Sequence, residues 1–195
     1  MIRKIFCSAA KHTAVFAVVL FLLWLLLFLS ALIPNDMIRD NMEQSALSYK
    51  ERTAFEFADG KKLNSVADHY ADSIWLNVSW NVGEDSPFIS SIRTNYYDGG
   101  ELGVNAGLYL SVTQGTEPNK DYTRYWHGTV MFIRLGHLIT DVEGVKLIGF
   151  IAFLLLVGLT IFILARKRHW DLAVILALSL AAVQIWNIRL SMEYQ

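Results

Sequence analysis

Residues 13–33 read TAVFAVVLFLLWLLLFLSALI, twenty-one positions without a charge. As one helix rising 1.5 Å per residue, the stretch is about 30 Å long and matches the hydrocarbon core of a bilayer. It predicts a transmembrane helix, and the rest of the chain is organised around it. A removable signal peptide would have a shorter apolar core followed by an A-x-A site, and neither is present, so the block is predicted to remain as an anchor.

Two more apolar blocks follow. Residues 146–165, KLIGFIAFLLLVGLTIFILA, are charged only at Lys146 and predict a second span; Gly149 and Gly158 are tolerated in lipid-embedded helices. Residues 171–188 predict a third, although Gln184 and Asn187 near its end also suit a buried or interfacial helix. The composition agrees, since 54% of the 195 residues are hydrophobic and the mean hydropathy is +0.35, above the usual soluble domain.

Orientation follows from the basic residues. Arg3, Lys4 and Lys11 precede the first block, and Arg166, Lys167, Arg168 and His169 separate the second from the third. Lys and Arg in short flanking segments are retained on the cytoplasmic side, which puts residues 1–12 and 166–170 inside and residues 34–145 and 189–195 outside. The predicted fold class is an α-helical integral membrane protein: three transmembrane helices (13–33, 146–165, 171–188) and a large, mainly helical extracytoplasmic loop domain between the first and second. Residues 35–145 hold sixteen Asp plus Glu against nine Lys plus Arg, which leaves no footprint for nucleic acid. No ionisable residue lies in mid-span, which argues against a transporter. The lone Cys7 cannot form an internal disulfide and falls on the reducing side.

Within the outer region, Pro34 and Asn35 open a helix carrying Met37, Ile38, Met42, Ala46 and Tyr49 at near-helical spacing, predicted to lie along the membrane surface. Residues 63–80, LNSVADHYADSIWLNVSW, allow either a second helix or a short strand through Ile74, Leu76, Val78 and Trp80. Gly99, Gly100, Gly103, Gly107 and Gly115 predict short irregular pieces as far as Pro118.

Two constellations carry chemistry. Asp68 and Asp72 stand four residues apart on the second helix with His69 beside them, so two carboxylates and an imidazole can share a face. Such a pair offers a general base, or oxygen ligands for a divalent metal ion; equally, acids there favour a helix N-terminus. Residues 121–134, DYTRYWHGTVMFIR, taken as a helix, align Arg124, His127, Met131 and Arg134 in one stripe, with Tyr125 beside it and Trp126 opposite. Guanidinium forks next to a bilayer suit phosphate oxygens, while pairing with acids or lipid headgroups is the alternative.

The YTRYWHG run at 122–128 resembles a Y-x-R-Y-W-H-G segment of multi-pass membrane proteins from bacterial surface-polysaccharide loci. The DHYADSIWLNVSWN stretch and the closing SMEYQ are similar to segments of the same proteins. Those proteins in turn resemble membrane glycosyltransferases that take sugars from polyprenyl-phosphate carriers and bear a catalytic acid in their first outer loop. The resemblance implies a multi-pass protein of the bacterial cell membrane, with Asp68 or Asp72 as catalytic base and Arg124, His127 and Arg134 on the lipid-carrier phosphate. Tyr125, Trp126 and His69 would contact substrate, with a divalent metal ion as an optional cofactor. The chain departs from those proteins at Arg134–His137, where they carry R-P-L-L, and in having three predicted spans where they have many more. It thus reads as an N-terminal portion that partner helices would complete. The alternative is a non-catalytic accessory or sensory subunit whose aromatic-rich loop binds envelope glycan or a protein.

Overall fold

A computed structural model describes residues 2–58, 65–82, 86–123 and 127–194, with side chains from residue 10 onward. Among the described residues two helices are long and apolar enough to cross a membrane: α1 (Ile2–Ala31), through its segment Ala10–Ala31, and α7 (Val142–Arg166). Between them lie α2 (Asn35–Lys50), β1 (Phe55–Phe57), β2 (Val66–Asp68), α3 (His69–Trp80), α4 (Pro87–Ser90), β3 (Thr94–Tyr96), α5 (Gly103–Gln114), β4 (Lys120–Tyr122) and α6 (Thr129–His137); α8 (Trp170–Ala182) follows. The strands form two antiparallel ribbons, β1 with β2 and β3 with β4.

Helix α2, predicted as a juxtamembrane helix, is a core element whose apolar stripe faces the inside of the domain. Ile38, Met42, Ala46 and Tyr49 repeat at i, i+4, i+8 and i+11 and are all fully buried. They meet Leu76 and Trp80 of α3, Leu108 and Val112 of α5, and Ile133 of α6 in the main core. Only Met37 of the predicted stripe stays outside, 62% exposed. The physical reason is supply: a domain of this size has few apolar faces to bury, and the regular stripe of α2 is the best of them.

The ambiguous stretch 63–80 resolves into both of its readings in succession. Val66–Asp68 pairs as a strand, and Asp68 then caps α3 by accepting a hydrogen bond from the Ala71 N–H at 2.8 Å. The glycine-rich region corrects the expectation of irregular pieces, because Gly103–Gln114 is a regular helix. Gly107 lets it press against the chain at Tyr97–Gly99: a Cβ there would sit 2.9 Å from the Tyr97 carbonyl oxygen. Residues 121–134 are not one helix either, since Lys120–Tyr122 pairs with Thr94–Tyr96 and α6 starts only at Thr129.

α7 leaves the domain at Val142 and runs 25 residues, about 37 Å. The third apolar block forms the 13-residue α8, about 20 Å long, then a left-handed Gln184 and a 3-10 helix over Ile185–Leu190 that adds about 12 Å. The hairpin closes on itself, with the Lys146 ammonium donating to the Leu190 carbonyl at 3.3 Å. The end of α1 and both ends of this hairpin therefore meet the polar domain, while the basic segments 3–11 and 166–169 lie at the far ends of their helices.

Candidate functional site

The first turn of α7, the start of α3 and residues 190–193 together make a wall with a cavity on each side. One side is a cleft of about 430 Å³, lined by the polar and charged residues Arg52, Glu56, His69, Glu143, Lys146 and Arg189 and by the apolar Ala58, Ala67, Leu147 and Leu190. The other is an apolar groove of about 1140 Å³ running down α7 past Ile148, Ala152 and Leu156, with Asp68, Tyr70 and Glu193 among its lining. The two approach within one residue of each other, for Ala67 lines the cleft and Asp68 the groove.

Inside the wall Asp72 is wholly buried and fully engaged. Its Oδ2 accepts from the Tyr49 hydroxyl at 2.8 Å and lies 3.0 Å from the Lys146 ammonium. Its Oδ1 accepts from the Ser191 hydroxyl at 2.7 Å and the Met192 N–H at 2.8 Å. Four donors occupy the lone-pair positions a carboxylate has to offer. Lys146 also donates to the Tyr49 oxygen at 2.6 Å, and burial, with the negative Asp72 next, drives the Tyr49 phenol well above its ordinary range. In this arrangement Asp72 has no open position from which to take a proton from an acceptor. Asp68, by contrast, is half-buried and borders the groove.

His69 is 1% exposed yet forms part of the cleft floor. Its Nδ1 lies 2.9 Å from the Thr53 carbonyl, which fixes that nitrogen as donor, and Tyr49 packs edge-on at 5.1 Å. Arg52 stands 3.4 Å from the other ring nitrogen and 3.3 Å from Glu143. Arg189 has no ion pair among the described residues.

Arg134 is placed differently from the expected phosphate contact. It is entirely buried, and its guanidinium donates to the carbonyls of Ser30 (3.0 Å), Ser79 (2.6 Å) and Ile33 and to Asn35 Oδ1 (3.0 Å). Ser30 and Ser79 lie in the last turns of α1 and α3, so the cation sits where two helices end and present the negative ends of their dipoles. Burial pushes its pKa down to about 10, which leaves it protonated at neutral pH. His127 is buried beside the Ser91 carbonyl at 3.3 Å, and burial lowers its pKa. Neither residue lines the cleft or the groove. Arg124, Tyr125 and Trp126 lie outside the described residues. Among the described residues no three His, Cys, Asp or Glu side chains gather to hold a metal ion.

No family model, no curated protein and no solved structure matches the chain. The residues that sequence reasoning missed are Lys146, Arg52, Glu143 and Arg189. Lys146 carried a signal, a lone charge at the mouth of an apolar block; the others are ordinary surface charges until the fold gathers them.

Proposed function

We propose that the chain is a multi-pass protein of the bacterial cell membrane, with its N-terminus cytoplasmic, residues 34–145 outside and 171–188 as a third crossing. In this reading it serves envelope polysaccharide assembly as a glycosyltransferase-like component handling sugars on polyprenyl phosphate, completed by transmembrane helices of a partner chain. The observation that carries this is the pairing of a cleft lined by charges of both signs, Arg52, Lys146 and Arg189 against Glu56 and Glu143, with an apolar, acid-edged groove on the two sides of one thin wall. The cleft offers Arg52 and Arg189 to a phosphate, and the groove offers an apolar track and the Asp68 carboxylate to an acceptor. At the Ala67–Asp68 edge, where the two cavities approach within one residue, the acceptor oxygen would attack the sugar's anomeric carbon, its proton passing to Asp68, while the carbon–oxygen bond to phosphate breaks and polyprenyl phosphate departs with the electron pair.

Two variants test it. Arg52→Gln with Arg189→Gln, in the full chain reconstituted in nanodiscs, is expected to weaken retention of polyprenyl phosphate about tenfold or more, as for the loss of charge-assisted bonds. Unchanged retention would remove the cleft from the reading. Asp68→Asn is expected to leave folding intact, because Asn caps a helix as well as Asp does, yet to abolish sugar transfer in the assembled system. The accessory-subunit reading draws on a different observation, namely that Asp72 and Arg134 are both engaged inside the fold. It predicts that neither variant alters polysaccharide output.

A further inference from the structure

The segment 86–92 is short and carries large apolar side chains on its outside. Ser86 caps the single turn Pro87–Ser90 by accepting from the Ile89 N–H at 3.3 Å. Phe88, Ile89 and Ile92 project outward, 56%, 45% and 58% exposed. The turn is held at a particular height on α1: the Trp24 indole N–H donates to the Ser91 hydroxyl at 3.1 Å, and the Trp24 ring meets Phe88 edge-on at 6.0 Å.

That height decides what surrounds it. Trp24 lies seven residues before the end of α1, about 10 Å along the helix from Ala31. It is thirteen residues beyond Lys11, the last charge before Asp36, or about 20 Å. If Lys11 marks the cytoplasmic edge of a hydrocarbon core about 30 Å thick, Trp24 sits some 10 Å below the opposite edge. The neighbouring α1 side chains Leu20, Phe21 and Leu22 are also half-exposed and apolar, so the tip continues the lipid-facing surface of the helix. Polar partners begin just past it, at the Arg93–Asp121 ion pair of 2.7 Å.

We propose that residues 86–92 are a membrane-inserted tip, with Phe88, Ile89 and Ile92 among the acyl chains of the leaflet next to the polar domain. This rests on α1 crossing the bilayer and is independent of any reaction. The turn's own bonds allow it: the Ser90 and Ser91 N–H groups donate to Ser86 and Pro87 carbonyls, and the Ser91 hydroxyl to the Phe88 carbonyl, leaving few backbone groups bare. The tip would fix how far the domain sinks into the membrane, and with it the height of the cleft and groove.

The test places one thiol at a time at Phe88, Ile89 or Ile92 (each →Cys, in full chains carrying Cys7→Ser), with Val18→Cys, about 10 Å along α1 from Lys11, as a reference at matching depth in the other leaflet. A fluorescent label is read in phosphatidylcholine vesicles against brominated acyl chains and aqueous iodide. Expected is strong quenching by the brominated lipid, comparable to Val18, and several-fold weaker quenching by iodide. Iodide reaching the labels while brominated chains do not would overturn the proposal by placing the tip in water. Protection from both would overturn it by showing a protein cover, and an unquenched Val18 label would remove its premise. None of these readouts involves a lipid-linked sugar, so they stand apart from the fate of the transfer reaction.

Discussion

Among the described residues two buried cations, Lys146 and Arg134, tie the domain together, and they are neutralised in opposite ways. Lys146 meets a full counter-charge, Asp72, at 3.0 Å within a cluster of hydroxyls. Arg134 meets no carboxylate among the described residues; three carbonyls and one side-chain amide oxygen surround it at the ends of two helices. The difference follows from the shape of the donors. A planar guanidinium can serve several converging carbonyls at once, whereas an ammonium is a compact charge that needs one strong partner. Arg134 joins α1, α3 and the α1–α2 turn, and Lys146 joins α3, α7 and the returning hairpin, so between them they fix both apolar helices to the domain.

Breaking the carbonyl site should have the largest effect. Arg134→Met is expected to cost about 3–5 kcal/mol, because the stranded carbonyls lose charge-assisted bonds without access to water. Arg134→Lys should restore only part, since an ammonium cannot reach all four acceptors. Denaturation in detergent reads this directly, and a loss below about 1 kcal/mol would mean that the carbonyls find other partners.

Asp72→Asn should come next, at about 3 kcal/mol, by leaving the buried Lys146 with the more distant, exposed Glu143 carboxylate, 3.7 Å away, in place of Asp72. Pairing Asp72→Leu with Lys146→Met should recover most of that, as buried ion pairs are often replaceable by apolar residues of similar volume. A double variant as unstable as the single one would show that the pair contributes net stability and is more than a fixing device.

A smaller, pH-dependent effect separates the surroundings of the two cations further. His137, next to Arg134 in the fold, is buried with its ring nitrogens 2.7 Å from the Ile133 carbonyl and 3.1 Å from the Ser45 hydroxyl. Burial lowers its pKa against opposing pulls from the Ile133 carbonyl and Asp141, with Arg134 reinforcing the drop; His127 is lowered likewise by burial. Depressed folded-state values mean that the unfolded chain binds protons first, so stability is full above about pH 6.5 and falls as pH drops through the lowered values. Melting temperature should therefore decrease between pH 7.5 and pH 5, and His137→Gln should flatten the curve. The smallest change in stability is expected for Asp68→Asn, a few tenths of a kcal/mol, since the cap persists.

The sequence was clearest where the pattern is local. The two long apolar blocks form helices long and apolar enough to span a bilayer, as their length and near-absence of charge predict, and the α2 stripe was visible as spacing even though its destination was the core. The cap at Asp68 was also readable, as an acid entering a helix. The Asp121–Arg134 stripe was misjudged because β4 pairs with a strand some twenty-five residues earlier, and no helical period reveals such a partner.

What residues 1–195 determine by themselves is the apolar skeleton and the distribution of charge along it, because hydrophobic length and periodicity act over neighbours in the chain. Which charges are buried was decided only in three dimensions. Asp72 finds Lys146 and Ser191, and Arg134 finds Ser30 and Ser79, across separations of 55 to 119 positions. A buried charge is tolerated only where remote groups converge to replace its water, and that convergence is a property of the packed domain.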